Sequence, residues 1–235
     1  MKTLVCTLAI GEPRIAQVNK LLQTFKQYTD YDVVVYTDRP PTSINAPADR
    51  VIHVHDITSA PFKVQAAFNF NLKGIVTAHA YRNFLSCDRV IWSDCDVYLT
   101  DKCPRLDEYI EDDVYFRTGP FPGPPAVAEL KYQIIRKIMH APDKRKELVY
   151  VNEVLFVINR NSRSTKFINR WTDLCVFSSF NYGINPCYEA VEVAIALNYC
   201  ADLKIAQIPR YNFTPTKHPP ATLFTEHRGK GLDYI

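Results

Sequence analysis

From Thr3 to Thr37 the chain reads TLVCTLAIGEPRIAQVNKLLQTFKQYTDYDVVVYT. Thr3 to Ile10 is a continuous apolar run rich in Leu and Val, as expected of a strand covered on both faces. Ile15 to Tyr28 carries Ile15, Val18, Leu22 and Phe25 at helical spacing. Asp32 to Thr37 (DVVVYT) is a second buried strand, closed by Asp38-Arg39-Pro40-Pro41. Strand, helix, strand in that order predicts a doubly wound α/β fold with a largely parallel sheet. Ligands of such sheets sit beyond the carboxyl ends of the strands.

The pattern continues downstream. Val51 to Val54 reads as a third strand, Phe62 to Leu85 mostly as helix, and Arg89 to Ser93 (RVIWS) as a strand running into Asp94-Cys95-Asp96. Val114 to Arg117 is short and strand-like, and it enters Thr118 to Pro125, a Pro/Gly loop long enough to act as a flap. Glu129 to Met139 is an amphipathic helix, Tyr150 to Asn159 a strand, and Thr165 to Val176 and Cys187 to Asn198 are helices.

Composition sets the class. Of 235 residues, 47% are hydrophobic and 23% charged, which is globular and large enough to bury a core unaided. A net charge of +3, from 28 basic and 25 acidic residues, is too balanced to select nucleic acid by charge. Seven cysteines without a CxxC pair argue against a zinc ribbon and for reduced thiols in a cytosolic compartment. The opening MKTLVCTLAI is read as a strand rather than a signal peptide, since Gly-Glu-Pro-Arg follows without a small-residue cleavage site. No stretch approaches the ~20 apolar residues of a membrane span.

The strongest chemical signal is Asp94-Cys95-Asp96 at the end of Val90-Ile91-Trp92. Ending a buried strand on two carboxylates costs desolvation unless a cation compensates. Alternate residues of a strand share a face, so the pair can converge on one hard divalent ion, which often completes its shell with substrate phosphate. The plain alternative is a polar turn capping a strand. A second signal is Glu226-His227-Arg228-Gly229-Lys230-Gly231. Here a histidine offers nitrogen to manganese, glycines let backbone approach a phosphate, and Lys230 offers a point charge. The plain alternative is a frayed basic tail. His53 and His55 alternate along a strand, but no third ligand is near in sequence, so they read as satisfied side chains.

Together the two signals resemble the family 8 glycosyltransferases, of the glycogenin and bacterial galactosyltransferase kind. The resemblance implies a GT-A fold: one domain over 1–235, with a Rossmann-like nucleotide-sugar half (1–100) and a fused acceptor half carrying the tail (101–235). It implies manganese (or magnesium) held by Asp94, Asp96 and His227, with Gly229 and Lys230 at the diphosphate. Strand ends at Thr7, Ala9 and Ile10, and at Thr37 and Asp38, are implied beside the nucleotide. A basic residue of the helix before Asp94 is implied at the donor, with Arg82 the first choice and Lys73 its substitute. The implied reaction moves a hexose or pentose from a nucleotide-diphosphate sugar (UDP before GDP) to a glycan, glycoprotein or glycolipid hydroxyl, with retention. The cysteine pattern and the lack of a signal or membrane segment predict a cytoplasmic location, free or peripheral at a membrane.

The chain also departs from the family pattern. Val151-Asn152-Glu153 keeps only the asparagine of the usual Asn-x-Gly, and Tyr188-Glu189-Ala190-Val191-Glu192 replaces an Asp-Gln pair. Asn152, Glu189 and Glu192 are therefore the candidates near the reacting carbon, with helix-surface charge the alternative for both glutamates. A general base there would give inversion. Two other readings stand beside the transferase. One is an Asp-x-Asp phosphatase, disfavoured by Tyr98 and by the motif's mid-chain position. The other is a sugar-nucleotide or glycan-binding module without turnover.

Overall fold

The computed structural model describes residues 2–57, 71–100, 106, 109–117, 133, 137, 151–180, 190–208, 213–215 and 224–226. Within them the sheet is built from β1 (Thr3–Ala9), β2 (Asp32–Thr37), β3 (Arg50–His53), β4 (Arg89–Ser93), β6 (Val114–Arg117), β7 (Asn152–Asn159) and β8 (Ile205–Ile208). Their spatial order is β3-β2-β1-β4-β7-β6-β8. β1 is parallel to β2 and β4, and β2 to β3, whereas β7 is antiparallel to both β4 and β6. β6 and β8 are parallel again. The result is a mixed α/β architecture with a seven-stranded, mostly parallel sheet, compatible with a Rossmann-like fold. Strands from both sides of residue 100 share this one sheet.

Helices cover both faces, which is why every residue of β1 is buried. α1 (Glu12–Tyr28) packs Ile15, Val18, Leu21, Leu22 and Phe25 against Val5, Val33, Val35 and Ile91. α2 (Leu72–Asn83), α3 (Ser162–Phe180) and α4 (Ala190–Tyr199) form the other layer, around Trp92, Phe156, Phe167 and Trp171. Gly11 joins β1 to α1 at φ 80°, a left-handed conformation that a side chain would strain. Pro13 pre-sets the first turn, and Thr29 ends the helix by bonding Phe25 O through both N–H (2.9 Å) and Oγ1 (2.8 Å).

A second small sheet has the order β5-β10-β9, from β5 (Val97–Leu99), β9 (Phe213–Pro215) and β10 (Phe224–Glu226). It lies on the α1 side: Val97, Tyr98 and Leu99 join the α1 core, and Leu99 N–H donates to Thr24 Oγ1 at 3.2 Å. These three strands and β8 are absent from the sequence reading, because runs this short are set by the strands they pair with more than by their own pattern. Val54, read as the strand's end, instead opens a 3-10 turn over Val54–Asp56. The Thr118–Pro125 loop lies outside the described residues. So does the Glu129–Met139 helix, apart from Gln133 and Lys137, which are helical. No helix among the described residues is long and apolar enough to cross a membrane, and the described cysteines are free and buried.

α2 is buried almost all round and meets α3 at Gly74. A Cβ there would stand 2.5 Å from Cys175 Sγ and 3.2 Å from the Trp171 ring. Gly74→Ala is therefore expected to lower stability by about 2–3 kcal/mol through overpacking. Urea unfolding checks it, and Cys175→Ala in the same chain should restore most of the loss. A Gly74→Ala protein as stable as the wild type would mean that the helices separate without cost.

Candidate functional site

β4 delivers the acidic pair to the carboxyl edge of the sheet. Asp94 N–H donates to Val154 O of β7 (2.8 Å), and Val97 N–H donates back to Asp94 O (3.1 Å), so the chain turns at Asp94 before starting β5. Lys73 Nζ, from the first turn of α2, lies 2.9 Å from Asp94 Oδ1 and 3.1 Å from Oδ2. Trp92 Nε1–H donates to Asp94 Oδ1 at 3.0 Å. The Lys73 side chain is 4% exposed and that of Asp94 21%, so this ion pair is largely withdrawn from water. Such burial is tolerable because the pair is also hydrogen-bonded.

Asp96 faces the other layer. Its Oδ2 lies 3.5 Å from Arg14 Nη1, in the first turn of α1. Arg14 Nη1 also donates to Gln17 Oε1 (2.7 Å), an acceptor shared with Cys95 Sγ at 3.6 Å. Cys95, between the carboxylates, has its thiol pushed well above the usual range, first by burial and then by Asp96. The turn at Asp94 breaks the strand alternation from which convergence on one face is expected. Asp94 is held from the α2 layer and Asp96 from the α1 layer, so the pair straddles the sheet edge rather than lining one face.

The neighbouring strand ends complete this edge. Thr7, Ala9 and Thr37 are fully buried and Ile10 is half-buried. Asp38 Oδ1 accepts from Gly11 N–H at 2.9 Å, so its carboxylate holds the β1–α1 turn. Arg39 bridges Asp38 (3.8 Å) and Glu12 (4.0 Å). His53 and His55 are satisfied locally: His55 N–H donates to His53 Nδ1 (3.4 Å) and His53 Nε2 donates to Asp38 O (3.2 Å). β7 reaches the same edge, with Leu155 opposite Ser93 and Asn152 opposite Arg117.

Two sequence expectations change, and one residue is new. Arg82 stands at the far end of α2, donating from Nη2 to Asn169 Oδ1 (2.7 Å). Nine residues of helix put it about 14 Å from Lys73 along the axis, so Lys73 is the α2 cation at Asp94. Glu192 is no surface charge: it is fully buried in the first turn of α4. Arg14, unnoticed in the sequence, is the partner of Asp96. One signal pointed to it: a cation in a helix's first turn opposes the macrodipole and calls for a nearby anion.

His227, Gly229, Lys230 and Glu189 lie outside the described residues. The backbone of β10, which precedes His227 in the chain, pairs antiparallel with β5: Phe224 opposite Leu99, Thr225 opposite Tyr98 and Glu226 opposite Val97. Among the described residues no third His, Cys, Asp or Glu joins the acidic pair. Asp94 and Asp96 bring two carboxylates, each balanced by a protein cation, to one sheet edge, and carboxylate oxygens are the donors that a hard divalent ion takes. No known family model matches the chain, and no curated protein is similar to it at a significant level.

Proposed function

We propose that this chain is a metal-dependent glycosyltransferase of the GT-A kind. It moves a hexose or pentose from a nucleotide-diphosphate sugar, UDP-linked by preference, to a hydroxyl acceptor in the cytoplasm, with retention. The observation that carries this reading is the β5–β10 register. Glu226, next to His227 in the chain, lies opposite Val97, next to Asp96. A sequence reading that joins a strand-end carboxylate to a tail histidine requires such a return of the chain. The strand order β3-β2-β1-β4 adds support, because it repeats the first half of a dinucleotide-binding sheet. The reversed β7 beyond it suits a fused acceptor half.

In this reading Asp94, Asp96 and His227 hold manganese or magnesium, which when bound neutralises charge on the departing diphosphate. Lys73 fixes Asp94, while Gly229 and Lys230 meet the diphosphate. Asn152, Glu189 and the buried Glu192 belong to the acceptor side, where a carboxylate orients the acceptor or steadies positive charge at the anomeric carbon.

The test is release of nucleoside diphosphate from a panel of UDP- and GDP-sugars, with manganese and with chelator. Metal-dependent release from at least one donor is the expected result. Nucleotide binding without release would favour the binding module, and phosphate release from a monoester would favour a phosphatase.

A further inference from the structure

Asp96 is met by a cation the protein carries itself, and that cation is mounted differently from Lys73. Lys73 is sealed in the α2 layer at 4% exposure and bonds both oxygens of Asp94. Arg14 is 32% exposed, reaches Asp96 Oδ2 only at 3.5 Å, and is steadied through Gln17, itself buried. One ion pair is sealed; the other is a longer contact made by a cation that water reaches.

A divalent ion on Asp96 and a guanidinium on the same carboxylate repel each other, and a carboxylate only 14% exposed has little room for both. We propose that Arg14 is the resident counter-ion of Asp96, displaced when the divalent ion binds, and that the freed guanidinium then takes an oxygen of the donor's diphosphate. The proposal rests on the glycosyltransferase reading above for its metal and its anion. It makes metal and nucleotide bind cooperatively, because the diphosphate relieves the repulsion between the two cations. A planar guanidinium suits that second partner, since its fork bonds phosphate oxygens as well as carboxylate.

The consequence is a pair of effects with opposite sign. Manganese binding without nucleotide, followed by the paramagnetic resonance signal of the free ion, should be about fivefold tighter in Arg14→Gln, since no ion pair need be broken. UDP affinity at saturating manganese should fall roughly tenfold in the same variant, because a charge-assisted bond to the diphosphate is lost. Arg14→Met, which keeps the aliphatic stem, should behave alike if the glutamine variant folds poorly. Arg39→Gln is the control: it removes an equal charge whose partners are Asp38 and Glu12, and it should leave manganese affinity within twofold. Folded Arg14 variants with unchanged or weaker manganese binding would overturn the exchange while leaving the metal site standing, and an Arg39→Gln effect of equal size would do the same. Absence of manganese binding in the wild type as well would overturn both the exchange and the metal-dependent reading.

Discussion

Asp96→Asn is expected to lower metal-dependent release of nucleoside diphosphate by about 10²–10³-fold while the protein still folds. The amide keeps the side chain's volume and removes one negative ligand, and metal stabilisation of a leaving group contributes several kcal/mol to such reactions. Stability should barely move. The pair lost is a long, 3.5 Å contact whose cation is 32% exposed, and contacts of that sort contribute at most about 1 kcal/mol. Asp94→Asn should differ, because Lys73 is almost wholly buried against that carboxylate. Breaking a buried pair costs about 3–5 kcal/mol, so this variant should lose stability together with turnover. Measuring nucleoside diphosphate release and thermal unfolding side by side separates the two. Wild-type turnover in folded Asp96→Asn would sink the metal site.

Asp113→Ala is expected to destabilise the fold by about 3 kcal/mol from the opposite end of the sheet, far from Asp94. Asp113 is buried where β6 begins. Its carboxylate accepts from Arg163 Nε (2.6 Å) and Nη2 (2.7 Å), Asn161 Nδ2 (2.7 Å) and Lys204 N–H (2.7 Å). One side chain thus ties the start of α3 and the approach to β8 onto β6, and removing it loses four charge-assisted hydrogen bonds at once. Burial alone would raise this carboxyl's pKa, but the bonds from Arg163, Lys204 N–H and Asn161 outweigh it and hold the group below its ordinary value. A depressed folded pKa contributes stability above the unfolded value, near pH 4, that is lost as pH falls through the folded one. Urea unfolding at pH 7 and pH 3 should therefore show a smaller acid loss in Asp113→Ala than in the wild type. Equal stabilities at pH 7 would refute the tie.

Much of the scaffold was legible because burial on both faces leaves a strong trace in the chain. β1, β2 and β4 are continuous apolar runs, and α1 repeats Ile15, Val18, Leu22 and Phe25 on one side. The acidic pair was legible too, since carboxylates after VIWS are conspicuous. That Lys73, and not Arg82, meets Asp94 needed the topology. A helix that returns the chain to a parallel strand begins at that strand's carboxyl end, so its first turn, with Lys73, faces Asp94.

Local sequence thus settled the longer buried strands and helices, and which residue types end β4. Tertiary structure alone decided that Asp94 and Asp96 answer to cations from opposite layers, and that β10 returns to pair with β5. Hydrophobic period is a property of neighbours along the chain. Ion pairs and three-residue ladders join segments tens or hundreds of residues apart, and nothing in either segment alone records its partner.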